Sequence, residues 1–472
     1  MFTLADVLEP LTGIRYPNTS LAISEAVIDS RQAIPASLFV AIRGDRQDGH
    51  TYIEAAFKNG ASLALIDSEI DPSIPVVDVR QPLPADFTFP AAPFAIRVEN
   101  STKGLQTIAA GWRRSLDLRV IGITGSVGKS TTKELVADVM SQRYRTVKNQ
   151  GNFNNEIGLP LTLLKLSRGT QCAITEMGFY YKGEIQKLCE MAQPQVGILT
   201  NIGTVHAERA GSQEKIAEGK SELVQFLPDA PEGTAILNYD DPWIRPMNKL
   251  TKASVLYYGL DPEADLWADS LQSRGLEGIS FRLHYRGERY SLQIPLIGQH
   301  SVHTALRAVA AGLVEGLSWE EIITGLRHSS NQLRLVAVRT QQGALMLDDT
   351  YNASPESTLA ALNLLSEIPG HHIAVLGGMF ELGPYEKSGH EKVGIRAAEI
   401  ADQILTLGDK GKMIADAAIR AGIAENRVTS YENTDQVVEA LRSLLKEGDV
   451  VLVKGSHGLR MDRIVTNLEV EE

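Results

Sequence analysis

Cysteine is nearly absent from this chain, with two in 472 residues, Cys172 and Cys189. That scarcity excludes a disulfide framework and a cysteine zinc site, and it fits a reducing compartment. Long apolar runs are missing too: no stretch approaches the ~20 residues that cross a bilayer, and MFTLADVLEP lacks a basic start joined to an apolar stretch and cleavage site. The expectation is a soluble, unprocessed, cytoplasmic protein without membrane insertion. Basic clusters are also lacking, and the formal net charge of −12 argues against nucleic acid as a partner. Low-complexity tracts and internal repeats are not evident. With 43% hydrophobic and 6% aromatic residues the composition is that of an ordinary globular α/β chain, long enough for two to four domains.

What is present begins at residues 122–132, GITGSVGKSTT, directly after the apolar stretch at 118–121. A strand running into a glycine loop and then a helix, KSTTKELVADVM, is a cradle for a nucleoside triphosphate. The backbone N–H groups of Gly125, Ser126, Val127, Gly128 and Thr131 converge on phosphate oxygens. Lys129 supplies a mobile cation, and Ser130 offers a hydroxyl to Mg²⁺. The spacing differs from the common P-loop, which would put its first glycine where Ile123 stands; the glycines are Gly122, Gly125 and Gly128. A glycine turn with a chance Lys and Ser is the competing explanation, and the strand-loop-helix context speaks against it.

The rest of the chain divides around this loop. The segment RQPLPADFTFPAAP cannot hold a regular ladder or helix, because proline fixes φ and removes donors. It ends a small α/β domain over 1–93, in which SLFVAIRG and ASLALID are short strands about the helix TYIEAAFKNG. A central domain is expected over 94–330. There CAITEMG, VGILTNIG, TAILNYDD and SVLYYG alternate with helical stretches, the pattern of a mostly parallel sheet covered on both faces. An antiparallel appendage follows at 278–297. From 331 to 472 the strands ALMLDDTY, HHIAVLGG, QILTLGD and VVLVKGS each end in polar or glycine residues, where the ligand cleft of a Rossmann-like sheet lies.

Glu176 ends the strand AITE, and His206 and Lys220 follow GILTNIG, so all three can face the phosphate loop. Oxygen donors suit Mg²⁺, which keeps several waters and takes few protein groups. Each residue alone has a plain alternative: a surface carboxylate, a hydrogen-bonded loop histidine, a solvated helix cation.

GITGSVGKSTTKE, KNQGNFNNEIGLPLTLL, EMG followed by GEI, and TNIGTVHAERAGSQEKIAEGKSELVQFL together resemble the central domain of the Mur ligases. These are ATP-dependent amide-bond formers of peptidoglycan assembly. DSRQAIPASLFVAIRGDRQDGHTYIEAAFKNGA resembles their amino-terminal uridine-nucleotide domain. DDTYNASPES, VLGGMFELG and VLVKGSHGLRMD resemble the carboxy-terminal domain of the member that adds a dipeptide. The resemblance implies ATP and two Mg²⁺ ions as cofactors, UDP-N-acetylmuramoyl-tripeptide and D-alanyl-D-alanine as substrates, and a monomer. It also assigns roles. Lys129 and the loop 125–131 would hold the ATP phosphates. Ser130 and Glu176 would hold one metal ion, and His206 with a carbamylated Lys220 the other. Thr304, Arg334 and Asp349 would contact the nucleotide, Asn154, Tyr351 and Asn352 the peptide substrates, and Ser30 and Arg31 the uridine diphosphate.

Ser301 and Thr304 stand where the family commonly has asparagine, and FYYKGEI replaces the usual residues before GEI. DDTYNASPES differs from the DYAH-type segment of the sisters that add single amino acids, and folylpolyglutamate synthetase shares the same ATP machinery. Outside the superfamily, a P-loop ATPase doing mechanical work or a nucleotide switch would need no amino-acid acceptor.

Overall fold

The computed structural model describes residues 2–44, 47–327 and 336–470. Three sheets, each wrapped by helices, organise them. The first has five strands in the spatial order Ala26–Val27, Leu38–Val40, Leu63–Ile66, Phe94–Arg97, Val76–Asp78, all parallel. Phe94–Arg97 pairs with Leu63–Ile66, so this sheet continues past the proline-rich segment at which the sequence reading closed the first domain. Prolines do break the ladder there, but the break is a loop between two strands of one sheet.

The central sheet has nine strands. Its middle, Thr234–Asn238, Val196–Leu199, Arg119–Thr124 and Cys172–Glu176, is parallel and buried along nearly its whole length, which is why these segments read as continuous apolar runs. One face is covered by the helices Ser101–Arg114, Gly158–Leu164, Glu184–Ala192 and Gln213–Phe226, in a core continuous with that of the first sheet. Lys129–Met140, Ser301–Val314 and Trp319–Arg327 cover the other. Side-chain caps fix the starts of two of these helices: Asn100 accepts from Lys103 N–H at 2.8 Å, and Ser212 from Lys215 N–H at 3.3 Å. The strands Leu266–Ser273, Ile279–Tyr285 and Glu288–Ile294 pair antiparallel at one edge, the expected appendage.

The third sheet has six strands, parallel except for the edge pair Val336–Arg339 and Leu345–Asp349. Its two faces carry their own apolar clusters, separate from those of the central sheet. In the parallel part of each large sheet the polar strand ends lie on one side: Thr124, Glu176 and Asn238 on the central sheet, Asp349 and Lys454 on the third. That is where open α/β sheets bind ligands.

Candidate active site

One cavity of about 770 Å³ opens between the central and third sheets. Residues 126–131 of the phosphate loop line it, together with Asn154, Glu176, His206, Thr304, Asp349, Tyr351 and Asn352. The fold therefore gathers most of the residues singled out in the sequence.

The loop is shaped by Gly125, whose φ is +149° and on which a Cβ would lie 1.8 Å from Thr200 Oγ1. Only glycine fits there. Asn201 braces the turn, its carbonyl accepting from Ser126 N–H at 2.9 Å and its side chain from Val127 N–H at 2.8 Å. Gly128, φ +82°, then starts the helix Lys129–Met140, so the helix N-terminus faces the cavity. Lys129 Nζ donates to the carbonyls of Gly125 and Ser126 at 2.8 and 3.1 Å, within the loop it serves.

Glu176 is buried at the end of its strand, where Asn149 clamps its backbone on both sides. Ser130 Oγ donates to Glu176 Oε2 at 2.6 Å, and Asn154 Nδ2 to Oε1 at 2.9 Å. A buried carboxylate joined to a hydroxyl beside a phosphate cradle is the hard oxygen donor set that suits Mg²⁺. Among the described residues no group of three or more His, Cys, Asp or Glu side chains is arranged to hold a metal ion by itself.

Lys220 is buried, 1% exposed, so the alternative of a solvated helix cation is excluded. Its Nζ donates to Gly125 O at 2.9 Å and sits 4.9 Å from the centre of the Phe179 ring. Burial first, then the Lys129 charge, push its ammonium well below the ordinary lysine range, opposed by Glu176. His206 Nδ1 lies 2.5 Å from Glu381 Oε2, on the third sheet's side of the cavity. Burial, with Lys129 and Lys220 nearby, lowers its pKa to about 4 although Glu381 acts the other way. Of the three aromatics in FYYKGEI, Phe179 is core, Tyr180 packs edge-on against the His206 ring at 4.8 Å, and Tyr181 is exposed.

At the far end Thr304 Oγ1 accepts from Arg307 Nη2 at 2.8 Å, and His303 Nε2 meets Asp240 Oδ2 at 2.8 Å. NYDD, given no role from sequence, is thus a bracket: Asp240 holds His303, and Asp241 accepts from Ile202 N–H at 2.8 Å.

Sequence reasoning missed Lys454. It is 1% exposed and donates to Asp349 Oδ2 at 2.7 Å and to Asn352 O at 2.9 Å, fixing the DDTYN segment at the cavity wall. A lysine closing the apolar run VVLV was its signal. Glu356 was missed as well; it accepts from Thr204 N–H at 3.2 Å across the domains. Ser30 and Arg31 are not brought to the cavity: Ser30 is buried at a turn on the first sheet, and Arg31 pairs with Asp29 at 2.7 Å, its side chain 87% exposed. Arg334 lies outside the described residues.

Family models match in the same order as the three sheets: "Mur ligase family, catalytic domain" over 22–86, "Mur ligase middle domain" over 123–312, and "Mur ligase, glutamate ligase domain" over 333–457. The UDP-N-acetylmuramoyl-tripeptide–D-alanyl-D-alanine ligase of Bacillus subtilis is 34% identical, over 99% of this chain and 98% of its own. The chain belongs to the Mur ligase family. Among solved Mur ligases, MurF from Acinetobacter baumannii superposes with a TM-score of 0.83 at 27% identity, covering 99% of both chains. MurF from Thermotoga maritima in complex with ADP gives 0.78 at 26% identity, over 94% of this chain and 96% of that one. The family accounts for the phosphate loop and for a third domain whose strand ends face it.

Proposed function

We propose that the protein is an ATP-dependent ligase joining D-alanyl-D-alanine to UDP-N-acetylmuramoyl-tripeptide, with release of ADP and phosphate. The observation that carries this reading is the cavity in which the phosphate loop of one domain meets the Asp349–Tyr351–Asn352 wall of another. A hydrolase needs no second domain there; a ligase must bring an acceptor to an activated group. Similarity to the Bacillus subtilis ligase along the whole chain supports the choice of substrates.

The tripeptide's terminal carboxylate is a poor electrophile, and its oxygen attacks the γ-phosphorus of ATP. The bond to the β,γ-bridging oxygen breaks, ADP leaves, and an acyl phosphate remains. Lys129 and the loop N–H groups hold the phosphates in line for this transfer. Ser130 and Glu176 would hold one Mg²⁺, and His206 with Lys220 a second. Bound there, Mg²⁺ neutralises the crowded phosphate oxygens. Lys220 suits this as a carbamate. Burial and the Lys129 charge favour its neutral amine, whose nitrogen would add to CO₂ and lose a proton, giving an anionic oxygen donor. Tyr351 and Asn352 receive the dipeptide, whose neutral amine attacks the acyl carbon, expels phosphate and gives up one proton as the amide forms. Asn154, which donates to Glu176 Oε1 at 2.9 Å, contacts the peptide substrate, Thr304 and Asp349 with Arg334 contact the nucleotide, and Ser30 and Arg31 bind the uridine diphosphate. The domain division proposed is 1–97, 98–330 and 331–472. We place the reaction in the cytosol and assign it to a monomer.

Tripeptide labelled with ¹⁸O in its terminal carboxyl should deliver one label into the inorganic phosphate. Phosphate release should require both the tripeptide and D-alanyl-D-alanine. Unlabelled phosphate, or release that ignores both, would reject the ligase in favour of an ATPase.

A further inference from the structure

Two residues in left-handed backbone conformation face each other across the domain boundary. His206 has φ +68° and Glu381 φ +62°, a region that side chains other than glycine occupy only when their surroundings impose it. Their side chains meet at 2.5 Å, Nδ1 to Oε2. Glu381 Oε1 is 3.2 Å from Arg209 Nη2, and the Glu381 carbonyl accepts from Glu208 N–H at 3.1 Å. Gly383 allows the approach: its φ is +53°, and a Cβ there would lie 2.7 Å from Glu208 Cα.

The loop that presents Glu381 is anchored in its own domain. Met379 N–H donates to buried His390 Nε2 at 2.9 Å, and Phe380 N–H to Ser456 Oγ at 3.0 Å. On the central domain, His206 is held against Tyr180, over whose ring the Arg209 guanidinium lies at 4.5 Å. A carboxylate has only acceptors, so His206 Nδ1 carries the hydrogen in this bond and Nε2 keeps its lone pair. Histidines that bind metal are commonly oriented this way, through a carboxylate on the other ring nitrogen.

We infer that Glu381 is a positioning residue supplied by the third domain: by accepting the Nδ1 hydrogen of His206 it fixes the tautomer and ring orientation that leave Nε2 for a cation, so docking of that domain completes the cation site of the central one. This rests on the placement of His206 in the metal site proposed above. It explains why a glycine and a left-handed glutamate are spent on a surface loop far in sequence from the phosphate cradle. Lys129 and Ser130 belong to one domain and are assembled without docking; His206 is not fully set until Glu381 arrives.

The test is Mn²⁺ binding, read by electron paramagnetic resonance, to the full-length protein with β,γ-methylene-ATP, for the wild type, Glu381→Ala, Glu381→Gln and His206→Ala. Glu381→Ala should weaken one of two Mn²⁺ sites by about 10–100-fold and leave the other unchanged. Glu381→Gln keeps an acceptor oxygen and should recover part of the loss, which a purely structural role would not distinguish. Melting temperatures reveal any variant that fails to fold, and the Gln variant then carries the test. Equal Mn²⁺ affinity at both sites in wild type and Glu381→Ala, with a weakened site in His206→Ala, overturns this inference alone. Unchanged binding in His206→Ala overturns the metal role of His206 and the inference with it.

Discussion

At the scale of single residues, the character of Lys220 is set by where it is buried. An exposed lysine is a cation at neutral pH; this one, on the helix Gln213–Phe226, is sealed behind the phosphate loop beside Lys129, and both forces favour the neutral amine. Intact mass measurement of protein kept under bicarbonate should find one carbon dioxide added, mapping to Lys220 and lost on acidification. Lys220→Ala should lower kcat by about 10²-fold or more, as expected when one preorganised charge at a transferring phosphoryl group is removed. The cysteines are inert by the same logic: burial pushes the Cys172 thiol up to about 12 and raises Cys189 further, so neither is a nucleophile at neutral pH.

Loops and their supports form the next scale. Gly125→Ala should abolish the phosphate cradle, because its Cβ would fall on Thr200 Oγ1 and its φ of +149° suits glycine. The check is loss of ATP affinity, beyond about 10-fold, with circular dichroism unchanged. The loop carrying Glu381 depends on His390, whose Nδ1 donates to Glu386 O at 2.7 Å while Nε2 accepts from Met379 N–H at 2.9 Å. That pattern requires the neutral ring, and burial keeps its pKa below the ordinary histidine value. In the unfolded chain histidine titrates near ~6.5, so as pH falls below that the unfolded state binds the proton first. Stability is therefore full above ~6.5 and declines as pH drops toward the lowered folded value. The melting temperature of the wild type should fall more between pH 7.5 and pH 5 than that of His390→Gln, and the difference isolates this residue. His390→Ala should cost about 1–3 kcal/mol by leaving the Met379 N–H without its partner.

For the whole molecule, the first two sheets share one apolar core, whereas the third has its own and meets the central domain through a few apolar contacts, Tyr385 and Ile297, and polar ties such as Thr204 to Glu356 and His206 to Glu381. Interfaces of this kind separate easily. We expect the third domain to swing, closing on ATP and tripeptide and excluding water from the acyl phosphate. Small-angle scattering should show a smaller radius of gyration with β,γ-methylene-ATP and tripeptide than without them; an unchanged radius would remove the swing from the mechanism.

How much of this was legible in the sequence follows the range of the forces involved. The phosphate loop is local: glycine spacing, a following helix and a lysine within one turn specify it without help from the rest of the chain. Buried parallel strands announce themselves as apolar runs, and the antiparallel hairpin by its alternation, so three α/β domains could be read directly. The first domain's end was misplaced because strand pairing is nonlocal; nothing in RQPLPADFTFPAAP says that Phe94–Arg97 returns to the strand Leu63–Ile66. Lys454, Glu356 and Glu381 were passed over for the same reason, since each acts on a residue at least 102 positions away or in another domain. Sequence alone thus determined the chemistry available, a cradle for triphosphate with oxygen ligands near it, because that depends on residue types at short spacing. Tertiary structure decided which lysine is sealed from water, which histidine meets a carboxylate and which carboxylate crosses between domains, because burial and juxtaposition exist only once the chain has closed on itself.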